Sequence, residues 1–151
     1  MTTFPSRETA RDALAALFVA NNSWKGVYGY APAAKIIADG QFPILIIRSR
    51  GTSQEMANLN TNPRSYRFSL QSWVLATSEV SGDSWTGDEA EDLLDTLDKT
   101  LCQIIRDNVS NAAWDNIRFA SEYSDVVDLS PTVPYIVETR FIYVDLRNGA
   151  I

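Results

Sequence analysis

Five carboxylates, Asp88, Glu91, Asp92, Asp95 and Asp98, recur at three- and four-residue steps and fall within one sector of a helix. Carboxylates at that spacing suit general acid–base work or metal binding. A solvated helix face accounts for them better. Acids in the first turns, with Lys99 and Arg106 later, are what the helix dipole favours, and Asp95 with Lys99 makes an i,i+4 pair. A third use for such a face is to line a surface past which DNA must slide without sticking. The stretch Asp83-Ser84-Trp85-Thr86-Gly87-Asp88-Glu89 lacks the order of acids, glycine and terminal Glu that a calcium loop needs. No phosphate-cradling motif occurs, and Gly26-Val27-Tyr28-Gly29 lacks the third glycine and the preceding strand of a dinucleotide fingerprint.

The chain contains no histidine. That excludes the Ser-His-Asp and Cys-His nucleophile systems, the HExxH zinc site and an imidazole base. The single cysteine, Cys102, cannot form an internal disulfide or a multi-cysteine metal site, which favours an intracellular or disulfide-free setting. It lies on the polar shoulder of its helix, with Arg106 the one cation nearby, and reads as a half-buried thiol. Trp24, Tyr28 and Tyr30 beside Lys25 could stack bases of a single strand. Rings plugging the core or facing another subunit explain them better in a chain of net charge −6. The same charge argues against a duplex-DNA binder held by a broad basic face. Arg48, Arg50, Arg64 and Arg67 nevertheless form a local basic patch, opposite in sign to the acidic helix. An anion site is one use for it; a charge-complementary contact between copies of the chain explains both patches together.

These residues need a scaffold, and 151 residues suffice for one domain, residues 1–151, that buries roughly 70% of its unfolded surface. Arg7 and Glu8 place charge where a signal peptide would be apolar, and no apolar run is long enough to span a bilayer, so a soluble chain is expected. Ser6 is a plausible N-cap, and Ala10, Ala13, Leu14, Leu17 and Phe18 then predict an amphipathic helix over 7–20, stopped at Asn21-Asn22. Residues 23–41 read as irregular. The run Ile44-Leu45-Ile46-Ile47 predicts a strand covered on both faces, followed by a long polar segment from Thr52 to Pro63. Tyr66, Phe68 and Leu70 alternate with polar residues in a second strand with one solvated or interface face.

Thr86 and Glu89 make a capping-box pattern before the clearest element, a helix with Ala90, Leu93, Leu94, Leu97, Leu101, Ile104 and Ile105 on one side, ending near 107–109. Two strands complete the chain. One runs from Ile117 towards Leu129, and the other spans Tyr135 to Leu146, which the sheet centre or another subunit must cover. The expected fold is α+β, two helices on one face of a mainly antiparallel four-stranded sheet in the order α-β-β-α-β-β.

The alanine-rich first helix (Ala10 to Val19), the Phe42-Pro43-Ile44-Leu45-Ile46-Ile47 strand after an aromatic loop, the passage from Trp73-Val74-Leu75 into Ala90-Glu91-Asp92-Leu93-Leu94-Asp95-Thr96-Leu97, and the long last strand resemble, in that order, the tail terminator (tail completion) proteins of long-tailed bacteriophages. More loosely, they resemble minor tail and head–tail joining proteins. The resemblance spans nearly the whole chain and rests on the order of elements.

It implies a non-enzymatic virion protein of the neck or tail, made in the host cytoplasm and assembled as a homohexameric ring. Such a ring caps the tail tube, ends its growth and presents a surface to the head connector, while DNA passes through without specific binding. No cofactor, metal or membrane is implied. Contacts between subunits or with the tube are expected at Arg48, Arg50, Gln54, Glu55, Arg64, Arg67, Glu138 and Arg140. Asp88, Glu91, Asp92 and Asp95 are expected to face the channel. A stopper or joining adaptor is the nearest alternative, and a small carboxylate-dependent hydrolase a more distant one.

Overall fold

In a computed structural model, residues 5–30, 43–54, 63–75, 87–120, 125–129 and 135–146 are described. Helix α1 spans Arg7–Asn21. Its N-cap is Ser6, whose hydroxyl accepts a bond from the Thr9 N–H at 3.1 Å. Asn22 ends it in the left-handed conformation (φ 63°), its own N–H bonding back to the Val19 carbonyl. Asparagine suits that position because it tolerates φ > 0 better than most side chains. Ala10, Leu14 and Phe18, four residues apart, form the fully buried stripe.

Helix α2, Gly87–Asp107, buries Ala90, Leu94, Leu97, Leu101 and Ile105 in the same way. Glu89 stands in its first turn; the other half of the capping pattern, Thr86, lies outside the described residues, as does most of the 83–89 stretch. Each leucine, isoleucine or phenylalanine of these stripes taken from water contributes roughly 1.5–3 kcal/mol, so the two stripes dock the helices firmly.

The described residues form six strands, in chain order β1 (Gly26–Tyr28), β2 (Ile44–Gln54), β3 (Arg64–Leu75), β4 (Asn116–Phe119), β5 (Asp125–Leu129) and β6 (Tyr135–Leu146). They lie in the order β1-β2-β3-β6-β4, with β5 also on β6. The α+β class holds, but the expected four antiparallel strands become a mixed sheet. One added strand is β1, which pairs parallel to β2. It has three residues, too few to carry a periodicity, so it hid within the stretch read as irregular. The other comes from division of the third expected strand. Phe119 pairs with Ile142 and Asp125 with Thr139, so β4 and β5 lie end to end on one edge of β6, with more residues between them than the facing strand needs.

The polar segment from Thr52 is also shorter than expected. Thr52, Ser53 and Gln54 continue β2 against Tyr66, Ser65 and Arg64, because a bulge at Arg50/Gly51 restores the alternation of faces. Gly51 adopts φ 126°, a conformation that side-chain-bearing residues rarely take.

Both helices pack on one face of the sheet. The main core joins their stripes to Leu45, Ile47, Tyr66, Phe68, Leu70, Val74, Ile117, Ile142 and Val144. Trp24 closes one end, its ring edge-on to Phe18 at 5.3 Å and its indole N–H bonded to the Ser72 hydroxyl. Trp114 closes the other side, donating to the Asn108 carbonyl, while the Asn111 side chain accepts from the Ala113 and Trp114 amides in the turn after α2. The run Ile44 to Ile47 is buried on both faces as expected, because Ile44 and Ile46 form a second, smaller cluster with Tyr28, Trp73 and Leu75. No helix among the described residues is long and apolar enough to cross a membrane.

Candidate interaction site

Alternation along paired strands decides which residues leave the core. On β3 and β6 the even-numbered positions face the helices, and Arg67, Ser69, Gln71, Thr139, Phe141, Tyr143 and Asp145 face away. Register lines up a row across the sheet: Gly51 on β2 pairs with Arg67 on β3, Arg67 with Tyr143 on β6, and Tyr143 with Arg118 on β4. The Arg67 guanidinium lies 4.4 Å from the Phe141 ring centre and 6.0 Å from that of Tyr143. The Arg118 guanidinium lies 4.3 Å from the Tyr143 ring. Cations over aromatic faces are attracted by the ring quadrupole and lose side-chain freedom, which holds their charge in place.

Arg50, the bulge residue before Gly51, follows Ile46 and Arg48 on the same face by alternation, and its Nε donates to the Ser69 hydroxyl at 3.0 Å. Arg48, opposite Ser69, adds a further exposed cation. Among the described residues, the face of β2, β3, β4 and β6 turned away from the helices therefore carries Arg48, Arg50, Arg67 and Arg118 together with the carboxylate of Asp145, while Ile44, Ile46, Ser69 and Val137 on the same face are buried.

Asp145 is 5% exposed. Ser65 donates to it at 2.5 Å, Asn116 at 3.1 Å and Arg118 at 3.0 Å. Burial alone would raise its pKa; the three donors and the nearby guanidinium outweigh burial and hold the carboxyl below its usual range. It fastens β3, β6 and β4 together at this end of the sheet.

The expected contact residues divide between the two faces. Arg48, Arg50 and Arg67 share the face turned away from the helices. Arg64, opposite Leu146, and Glu138, opposite Ser72, sit at positions of the helix-facing set, and both are half-buried. Arg140 also faces the helices and is held within the subunit: its Nε and one terminal nitrogen donate to the two carboxylate oxygens of Asp98 at 2.5 and 2.8 Å, and its charge lies 5.5 Å from the Phe119 ring. The bidentate bond raises the Arg140 pKa despite partial burial. Gln54 ends β2, and Glu55 lies outside the described residues.

The acidic sector also divides. Asp98 turns to Arg140, whereas Asp88, Glu91, Asp92 and Asp95 are exposed along α2, on the far side of the sheet from the arginine row. Among the described residues, no group of three or more acids or cysteines is placed to hold a metal ion. Cys102 is half-buried beside the ion pair; burial and the Asp98 charge raise its pKa, against lowering by Arg140 and Arg106. Trp24 is a core residue, while Tyr28 meets Tyr30 edge-on at 5.9 Å.

Arg118, Phe141, Tyr143 and Asp145 were not among the expected site residues. Their signal was present in part, since Phe141 and Tyr143 alternate with buried Ile142 and Val144, but only the cross-strand register shows which cations meet them. The final strand is paired along both sides, to β3 and to β4 and β5, so it has a face rather than an edge to offer a neighbour. Comparison of the sequence with known protein families finds no match, and comparison with curated proteins finds none either.

Proposed function

We propose that this chain is a structural subunit of a phage tail, a ring-forming terminator that caps the tail tube, ends its polymerisation and provides the surface for head–tail joining. The carrying observation is the pair of charged sets on opposite sides of the sheet among the described residues: exposed Arg48, Arg50 and Arg118 on the face away from the helices, and the exposed acids of α2 on the other. Surfaces of that kind suit head-to-tail association, which closes into a ring when the rotation permits. The order of elements that carries the resemblance to tail terminators supports the same reading. In such a ring the exposed acids have two uses, to repel DNA in the lumen or to meet the basic surface of the next copy. The hydrolase alternative draws no support from the site, because Asp98 is committed to Arg140 and the remaining α2 acids point to solvent.

The test is tail length in lysates of a phage lacking this gene. Overlong tubes identify a terminator. Tails of normal length that fail to join heads identify a stopper or adaptor and reject tube termination.

A further inference from the structure

Two arginines of α1 carry charge that the described residues leave uncompensated. Arg118 and Arg140 each pair with a carboxylate, Asp145 and Asp98. Arg7 and Arg11 instead meet hydroxyls of β2: a terminal nitrogen of Arg7 donates to Thr52 Oγ1 at 3.2 Å, and one of Arg11 donates to Ser49 Oγ at 3.0 Å. Neither forms an ion pair among the described residues, and the Arg11 Nε is buried there without an acceptor. Most N–H donors of both guanidiniums are thus uncommitted within the described chain. Arg7 also opens α1, where the positive end of the helix dipole disfavours a cation. Glu8 and Asp12 follow the two arginines in sequence, but they are exposed and stand about 100° further round the helix.

A regular strand would not supply both hydroxyls. Ser49 and Thr52 are three residues apart, and unbroken alternation would send them to opposite faces. The bulge at Arg50/Gly51 returns Thr52 to the side of Ser49: Ser49 pairs with Phe68 and Thr52 with Tyr66, both members of the helix-facing core. Arg7 and Arg11, four residues apart, share one side of α1 and lie about 6 Å apart along its axis. The bulge therefore sets two hydroxyls against two guanidiniums. Each hydroxyl accepts from its arginine, which leaves its own proton to donate elsewhere. Arg7 and Thr52 are exposed, while Arg11 and Ser49 are half-buried, so the cluster is reached from solvent at the Arg7 end.

We propose that Arg7, Arg11, Ser49 and Thr52 bind a phosphate group at the junction of α1 and β2. A guanidinium fork matches phosphate oxygens, and the hydroxyls add neutral donors from the strand side. Phosphate suits the cluster better than a carboxylate does, because its oxygens accept in more directions than the two of a planar carboxylate. Holding the arginines on β2 before binding lowers the ordering cost. The source of the group is a free or esterified phosphate, or the backbone of a polynucleotide. The site stands apart from the ring-subunit reading and does not depend on it.

The experiment titrates the full chain with sodium phosphate and follows backbone amide and arginine Nε–H resonances by NMR. Sodium chloride at matched ionic strength and sodium acetate are the references. Phosphate should shift the signals of Arg7, Arg11, Ser49 and Thr52 saturably. R7Q should bind about tenfold more weakly or worse, since it loses a charge-assisted hydrogen bond. Arg7 is exposed, so R7Q should keep the wild-type circular dichroism. R48Q removes an exposed cation from the other face of β2 and should titrate as wild type does. A short single-stranded DNA oligonucleotide separates the sources. Tighter binding than phosphate through the same four residues assigns the site to a polynucleotide backbone, and weaker binding assigns it to free or esterified phosphate. Shifts no larger than those in chloride overturn the site, as does undiminished binding by R7Q or an equal loss in R7Q and R48Q. Acetate that binds as tightly as phosphate overturns the choice of phosphate.

Discussion

Breaking the Asp98–Arg140 pair should expose how α2 is tied to the sheet. The pair is bidentate, at 2.5 and 2.8 Å, and its side chains retain 24% and 27% of their exposure. That places it between surface pairs, worth at most about 1 kcal/mol, and buried ones, whose disruption costs about 3–5 kcal/mol. A value near 2 kcal/mol follows, or a fall of about 4–8 °C in melting temperature for D98N in a domain of this size. Arg140 also lies over Phe119, so R140Q alone removes two interactions. A double-mutant cycle with D98N, R140Q and the combination isolates the ion pair.

The only cysteine supplies an independent readout, since Asp98 raises and Arg140 lowers the Cys102 pKa. At fixed pH above neutrality, D98N should alkylate faster and R140Q more slowly than wild type. Simple loosening of the fold would accelerate both variants, so slow alkylation of R140Q is diagnostic. A coupling below about 0.5 kcal/mol, or faster alkylation in both variants, would refute the reasoning.

Acid should act through Asp145. Its folded pKa lies below the unfolded value, so its stabilisation is present above about pH 4 and is lost as pH falls through the folded pKa. Denaturant titrations should show D145N less stable than wild type at neutral pH and the gap narrowing in acid; a constant gap would contradict this. At Gly51 the cost of a side chain is conformational, because φ is 126° while no atom lies within 4 Å of an added Cβ. G51A should therefore lose about 1–3 kcal/mol in thermal denaturation, whereas a substitution without cost would mean that the bulge relaxes.

Elements whose pattern is local were legible in the sequence. Ser6, the i,i+4 stripe from Ala10 to Phe18 and the Asn21-Asn22 stop bound α1 within a residue, and the alternation from Tyr135 to Leu146 delimits β6. What depends on pairing between distant segments was not legible. The bulge at Gly51 draws Thr52 to Gln54 into a strand although their composition suits a loop. Arg140 was expected at a contact between subunits or with the tube, yet the packing of α2 brings Asp98 over it within the subunit. The arginine–aromatic row draws on residues 67, 118, 141 and 143, and no spacing along the chain puts them side by side.

The proposed function makes this polypeptide a building block that recognises copies of itself and the end of a tube. Its most direct test is the mass of the purified chain by light scattering, alone and with isolated tail tubes. A terminator should form a discrete closed oligomer that is withdrawn from solution in proportion to the number of tube ends. A species that remains monomeric at every concentration and is left in solution when tubes are added would contradict it.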